Sequence, residues 1–153
     1  MQKLLKEQME DDYIVKGSLI MYEMKPEYYI GIEMIDEEHK QLFQYADEAY
    51  ELLHDEFTPD KYDKMNTILQ NLRDYTVKHF ADEEAYMESI HYKKIFTQKI
   101  QHQEFVQKLD EFMEHHKEEV EDQDKQIMDM LEFLTEWLVN HILHVDGQIP
   151  KME

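Results

Sequence analysis

Residues 62–86 read YDKMNTILQNLRDYTVKHFADEEAY. Apolar residues recur every three or four positions, at Tyr62, Met65, Ile68 or Leu69, Leu72, and Tyr75 or Thr76. That is the period of one face of an α-helix. The same face then runs on through His79, Glu83 and Tyr86. His79 and Glu83 are four apart, so both project from one side. Upstream, Thr58 predicts the helix cap and Pro59 the first helical position.

Three further segments carry the same pattern. One opens at Asp36, an N-cap type of residue, with Glu37 and Glu38 in the positive first turn. Its stripe is His39, Leu42, Phe43, Ala46, Tyr50 and Leu53. Another begins near Lys94 and carries Ile95, Gln98, His102, Phe105, Val106, Leu109, Phe112 and Met113. The last follows the acidic stretch 118–124 and carries Ile127, Met130, Leu131, Leu134, Trp137, Leu138, His141, Leu143, Val145 and Asp146, with Gly147 as its stop. At about 20 residues, or about 30 Å, each, four matched helices with short connections predict an all-α, up-down-up-down four-helix bundle.

Composition agrees. The chain has 153 residues, 42% hydrophobic and 34% charged, which suits one globular domain. Gly 3 and Pro 3 leave few turns, against many short strands. The formal charge of −20 repels phosphate backbones and anionic lipid, so neither nucleic acid nor a membrane is an expected partner. Cys 0 removes disulfides, thiolate nucleophiles, iron–sulfur clusters and cysteine-type zinc sites together. No signal-peptide pattern or membrane span is evident, and a cytoplasmic location is expected. The domain division expected is an N-terminal arm over residues 1–20 and the bundle over 21–153. In the arm, Leu4, Leu5 and Met9 could line one side of a short helix ended by Gly17-Ser18, a frayed or loosely docked arm being the equal alternative. Residues 21–35 read as an irregular lead-in, too rich in tyrosine and isoleucine to float free, that packs along the bundle.

A core-facing stripe should be apolar, yet every helix here places a histidine or carboxylate in it. His39, His79, Glu83, His102, His141 and Asp146 all occupy such positions. Any one of the histidines alone could be a satisfied core residue. Two carboxylates in one core need a counter-charge, because burying each unpaired costs several kcal/mol. Metal ions supply it: imidazole suits iron, zinc or copper, and carboxylates can bridge two hard ions. His54, His91, His115 and His116 read as surface residues, and His144 points partly away from the stripe.

These residues resemble a known family. Asp36-Glu37-Glu38-His39-Lys40-Gln41-Leu42-Phe43 resembles the first-histidine motif of hemerythrins, and His79-Phe80-Ala81-Asp82-Glu83-Glu84 their histidine–glutamate motif. His102-Gln103-Glu104-Phe105 resembles the end of their third-helix motif, and the run from Trp137 to Asp146 their last one. The lead-in Tyr29-Ile30-Gly31-Ile32 is similar to single-domain bacterial members. The resemblance implies an oxo- or hydroxo-bridged pair of iron ions and no haem. One iron takes His39 and His79, the other His102 and His141 plus one further histidine, and Glu83 and Asp146 bridge them. It implies dioxygen, or a similar small diatomic, as ligand at the open position of one reduced iron, under an apolar pocket of Phe80, Trp137 and Leu138. The function so implied is an oxygen carrier, store or scavenger.

The further histidine is absent. The family's third helix carries a His-x-x-x-His pair, and the first member falls at Gln98. Gln98 could ligate through its amide oxygen, hold a water on the metal, or leave the position to another group such as His144. With both irons then offering an exchangeable position, a diiron oxidoreductase acting on dioxygen, peroxide or nitric oxide is the alternative. Met24, where bacterial members often carry tryptophan, reads as packing.

Overall fold

The computed structural model describes residues 21–59, 61–118 and 123–150. The expected arm over residues 1–20, with Leu4, Leu5, Met9 and the stop at Gly17-Ser18, lies outside them, as do the side chains of His115 and His116. Four helices make the body: α1 (Glu33–Leu53), α2 (Lys61–Ser89), α3 (Ile95–Glu118) and α4 (Gln123–His144). α1 packs on α2 and α4, and α3 packs on the same two, so the ring closes as the expected all-α four-helix bundle. No strand occurs among the described residues, and none of their helices is long and apolar enough to cross a membrane.

α1 begins at Glu33, one turn ahead of the expected start at Asp36. Its N-cap, Ile32, makes no side-chain cap hydrogen bond. Asp36, inside the first turn, instead reaches backward and ties down the lead-in that enters the helix. Its Oδ1 accepts the Ile30 N–H at 2.9 Å and its Oδ2 the Gly31 N–H at 3.0 Å. Gly31 sits at φ +92°, a left-handed conformation that turns both N–H groups toward one carboxylate. The lead-in packs along the bundle as expected. The Met21 and Tyr22 N–H groups donate to Asp47 Oδ1, and the Tyr28 ring, in a 3-10 turn over Pro26–Tyr28, stacks on Phe43. Met24 packs partly buried against the core.

The helix expected to open at Thr58 and Pro59 begins at Lys61, and Thr58 donates its hydroxyl to Asp55 instead. α2 ends in a Schellman motif: the Tyr92 N–H reaches Met87 O at 2.9 Å and the His91 N–H reaches Glu88 O at 3.1 Å. The left-handed residue in the motif is His91, at φ 55°, where glycine is the usual choice. α4 stops at His144, so Asp146 lies beyond the helix in a 3-10 turn, Asp146–Gln148, and not on it as expected. The reason is angular. Five residues along an unbroken helix would carry Asp146 about 140° round from His141. Breaking the helix returns it to the core side.

Buried apolar residues form two separate clusters. The larger fills the bundle through Leu42, Phe43, Leu69, Leu72, Leu109, Leu131 and Leu134, among others. The smaller is a plug of Ile35, Met87, Tyr92 and Ile149. His39 falls between Ile35 and Leu42 on α1, and His79 and Glu83 fall between Leu72 and Met87 on α2. A polar layer therefore interrupts the core near one end of the bundle.

His91→Gly is expected to relieve left-handed strain and stabilise the fold by about 1 kcal/mol, raising Tm by about 3 °C. Gly31→Ala is expected to cost about the same, although a Cβ there would meet nothing within 4 Å. Thermal unfolding followed by circular dichroism checks both signs.

Candidate metal centre

The four helices and the turn after α4 bring the six expected residues into one buried layer. His39, Glu83 and Asp146 are 0% exposed, His79 1%, His102 2% and His141 4%. Two groups of ligand atoms stand out, each within 4.8 Å across: His39, His79, Glu83 and Asp146 in one, and Glu83, His102, His141 and Asp146 in the other. Glu83 and Asp146 belong to both. The histidines thus form two pairs on either side of a shared pair of carboxylates.

The distances are those of groups that face one another. His39 Nε2 lies 3.2 Å from Asp146 Oδ2 and 3.8 Å from Glu83 Oε2. His79 Nε2 lies 3.7 Å from Glu83 Oε2, and His102 Nε2 3.0 Å from Glu83 Oε1. His141 Nε2 lies 3.2 Å from Asp146 Oδ1. Yet both oxygens of Glu83, Asp146 Oδ2 and the Nε2 atoms of His39, His79 and His102 are buried without a hydrogen-bond partner. Native cores rarely leave so many polar atoms unsatisfied in one place. Imidazole nitrogens with carboxylate oxygens, all turned inward and unsaturated, are the donor set that iron or a similar transition metal takes. The residues present fit a pair of such ions.

The electrostatics point the same way. Burial, then the neighbouring Asp146, holds the Glu83 carboxyl well above its usual range. Burial would also raise Asp146, but the facing imidazoles of His141 and His39 outweigh it and hold that carboxyl well below. The two carboxyls are thus displaced in opposite directions, as expected for acids buried against each other in a site of low polarity. Burial pushes the His102 imidazole down, even against the pull of Glu84, which keeps it in the neutral form that binds metal.

A second ring of side chains aims the first. His79 Nδ1 is 2.9 Å from Glu38 Oε1, and Glu38 Oε2 takes Lys78 Nζ at 3.1 Å. Lys78 also donates to Asp82 at 2.7 Å. His102 Nδ1 is 2.8 Å from Glu84 Oε2. Each carboxylate fixes the tautomer that leaves Nε2 free to face inward. Sequence reading missed both. Glu38 reads as a helix-start charge beside His39, but it serves the histidine of the facing helix, and no spacing within one helix reveals that. Glu84 sits about 100° round from Glu83 and reads as a solvated neighbour; only proximity to α3 gives it a role.

The residues expected to wall an apolar pocket also gather here. Phe80 stacks face to face on His102, with centroids 3.9 Å apart, and Trp137 stacks on His141 at 4.3 Å. Phe105, expected only as a stripe residue, stacks on Trp137 at 4.2 Å, and Leu138 is buried. His144 is exposed, as are His54 and His91, so His144 does not stand in for the missing imidazole. Gln98 faces the layer and is 0% exposed.

Known proteins resemble this chain in domain pattern, in sequence and in fold. The hemerythrin HHE cation-binding domain matches residues 30–150. A bacteriohemerythrin of Clostridium acetobutylicum is 46% identical over 128 residues, covering 84% of this chain and 98% of that protein. A hemerythrin of Sipunculus nudus is 31% identical over 112 residues, covering 73% of this chain and 76% of that one. A solved crystal structure of a leucine-to-phenylalanine variant superposes with a TM-score of 0.64 at 27% identity, covering 79% of this chain and 87% of that one.

Glu38→Ala and Glu84→Ala are each expected to weaken metal binding by roughly 10- to 100-fold while the bundle still folds. Competition with a chromogenic chelator measures the loss, and far-ultraviolet circular dichroism confirms folding.

Proposed function

The chain belongs to the hemerythrin family, and on that premise we propose that it is a cytoplasmic non-haem diiron protein that binds dioxygen as a carrier, store or scavenger. One observation carries the reading. Four buried imidazoles flank two shared buried carboxylates, and most of their inward-facing atoms lack a hydrogen-bond partner. One iron would take His39 and His79, the other His102 and His141, with Glu83 and Asp146 between them. When bound, the reduced iron pair supplies the electrons and the open position that dioxygen requires.

The protein's own part is positioning and exclusion. Glu38 and Glu84 hold His79 and His102 in one tautomer and one orientation. Phe80, Trp137 and Leu138 present apolar surface where a small uncharged diatomic would sit, and Phe105 backs Trp137. The plug of Ile35, Met87, Tyr92 and Ile149 closes the layer from the end of the bundle. Excluding water from the layer strengthens each charge interaction within it.

A diiron oxidoreductase acting on dioxygen, peroxide or nitric oxide is a second reading, favoured by Gln98. It brings an amide where the family's third helix brings an imidazole.

The deciding experiment is an optical spectrum of the iron-loaded, anaerobically reduced protein, taken before oxygen, after oxygen and again under vacuum. A charge-transfer band that comes and goes with oxygen is expected. A band that decays irreversibly to an oxidised spectrum favours the oxidoreductase. No iron-dependent band at all overturns the diiron reading. Iron should also raise Tm, because ligands assembled only in the native state bind it only there.

A further inference from the structure

Gln98 is held at both ends of its amide. Its Nε2 donates to Asp146 Oδ1 at 3.0 Å, and its Oε1 lies 2.8 Å from His141 Nε2. The carboxylate can only accept, so it fixes which end of the amide is the N–H end. That leaves Oε1 as the end that meets His141 Nε2, an atom on the inward side of the layer. A neutral amide oxygen is a weaker donor to iron than the imidazole it replaces, and so is more easily displaced.

Directly behind Gln98 is a cavity of about 190 Å³, lined by Tyr92, Lys94, Thr97, Gln101, Val145 and Gln148 together with Gln98 itself. It differs in character from the wall made by Phe80 and Trp137. Apart from Val145, every side chain lining it carries a polar group, and Lys94 places a cation there, its Nζ bonded to Gln148 Oε1 at 2.7 Å. On a chain of formal charge −20, a lysine at such an opening creates a local exception that an anion can use.

We propose that Gln98 is a displaceable oxygen ligand to the metal held by His102 and His141, and that the cavity behind it, with Lys94 in its lining, admits a small monovalent anion to that position. The inference rests on the diiron reading above. It gives the site two exchangeable positions of opposite character: one beside the aromatic wall, suited to an uncharged diatomic, and one beside Lys94, suited to an anion. Replacing the glutamine by histidine would close the second with a stronger nitrogen donor.

Azide titration of the iron-loaded, oxidised protein tests this, with iron content measured on the same samples. The wild type is expected to show two azide equilibria, each with its own charge-transfer band, and Gln98→His only one. Thr97→Trp, an exposed substitution at the cavity mouth, is expected to slow the second azide phase alone. A single equilibrium in wild type and Gln98→His alike, with two irons per chain, overturns this inference and leaves the diiron reading standing. Two equilibria that persist in Gln98→His, or a second phase indifferent to Thr97→Trp, overturn it as well. A wild type that retains fewer than two irons overturns both.

Discussion

Two acidic side chains, Glu83 and Asp146, lie wholly buried against each other and against four imidazoles, and most of the molecule's design can be traced to that one juxtaposition. Burying two carboxylates side by side is costly, and their acidities are displaced in opposite directions, Glu83 raised and Asp146 lowered. A pair of cations would remove the conflict and satisfy the inward-facing nitrogens and oxygens at the same time. Folding and metal binding would then be coupled by electrostatics as well as by geometry.

Holding such a layer requires that its neighbours be organised around it. Glu38 and Glu84 act across helices, each on a histidine of the facing helix, so that packing errors between helices would misorient the ligands. His39 has no hydrogen-bond partner on either ring nitrogen and is positioned by packing, with its ring 4.7 Å from that of His79. On one side Phe80 and Trp137 lie flat on His102 and His141. On another, Gln98 lines a cavity that also takes in Lys94. The layer thus has aromatic rings on one side and a cavity on another, with a single residue of α3, Gln98, between it and that cavity.

The loops contribute more than connection. The Schellman end of α2 carries Tyr92 into the plug with Met87, its partner in the motif. The break after His144 does the same for Ile149 while delivering Asp146 to the layer. Gly147 follows Asp146 directly, and a Cβ there would meet Ile142 O at 3.2 Å. Close backbone approach is what that glycine permits.

Much of this was legible in the sequence. Helical periodicity in stripes such as Met65, Leu69 and Leu72 determined four helices, because a 3.6-residue repeat of apolar side chains has few other stable uses. The placement of His39, His79, Glu83, His102, His141 and Asp146 within those stripes marked a polar layer, since each residue's face is a local property of its own helix. What tertiary structure alone decided is whatever depends on a neighbour's surface. It made Glu38 and Glu84 orienting groups, turned Asp36 backward onto Ile30 and Gly31, took Asp146 off the helix, and fixed the Gln98 amide between Asp146 and His141. A hydrogen bond between helices has no period along either of them. It follows from which faces the bundle brings together, and that is settled only when the chain folds.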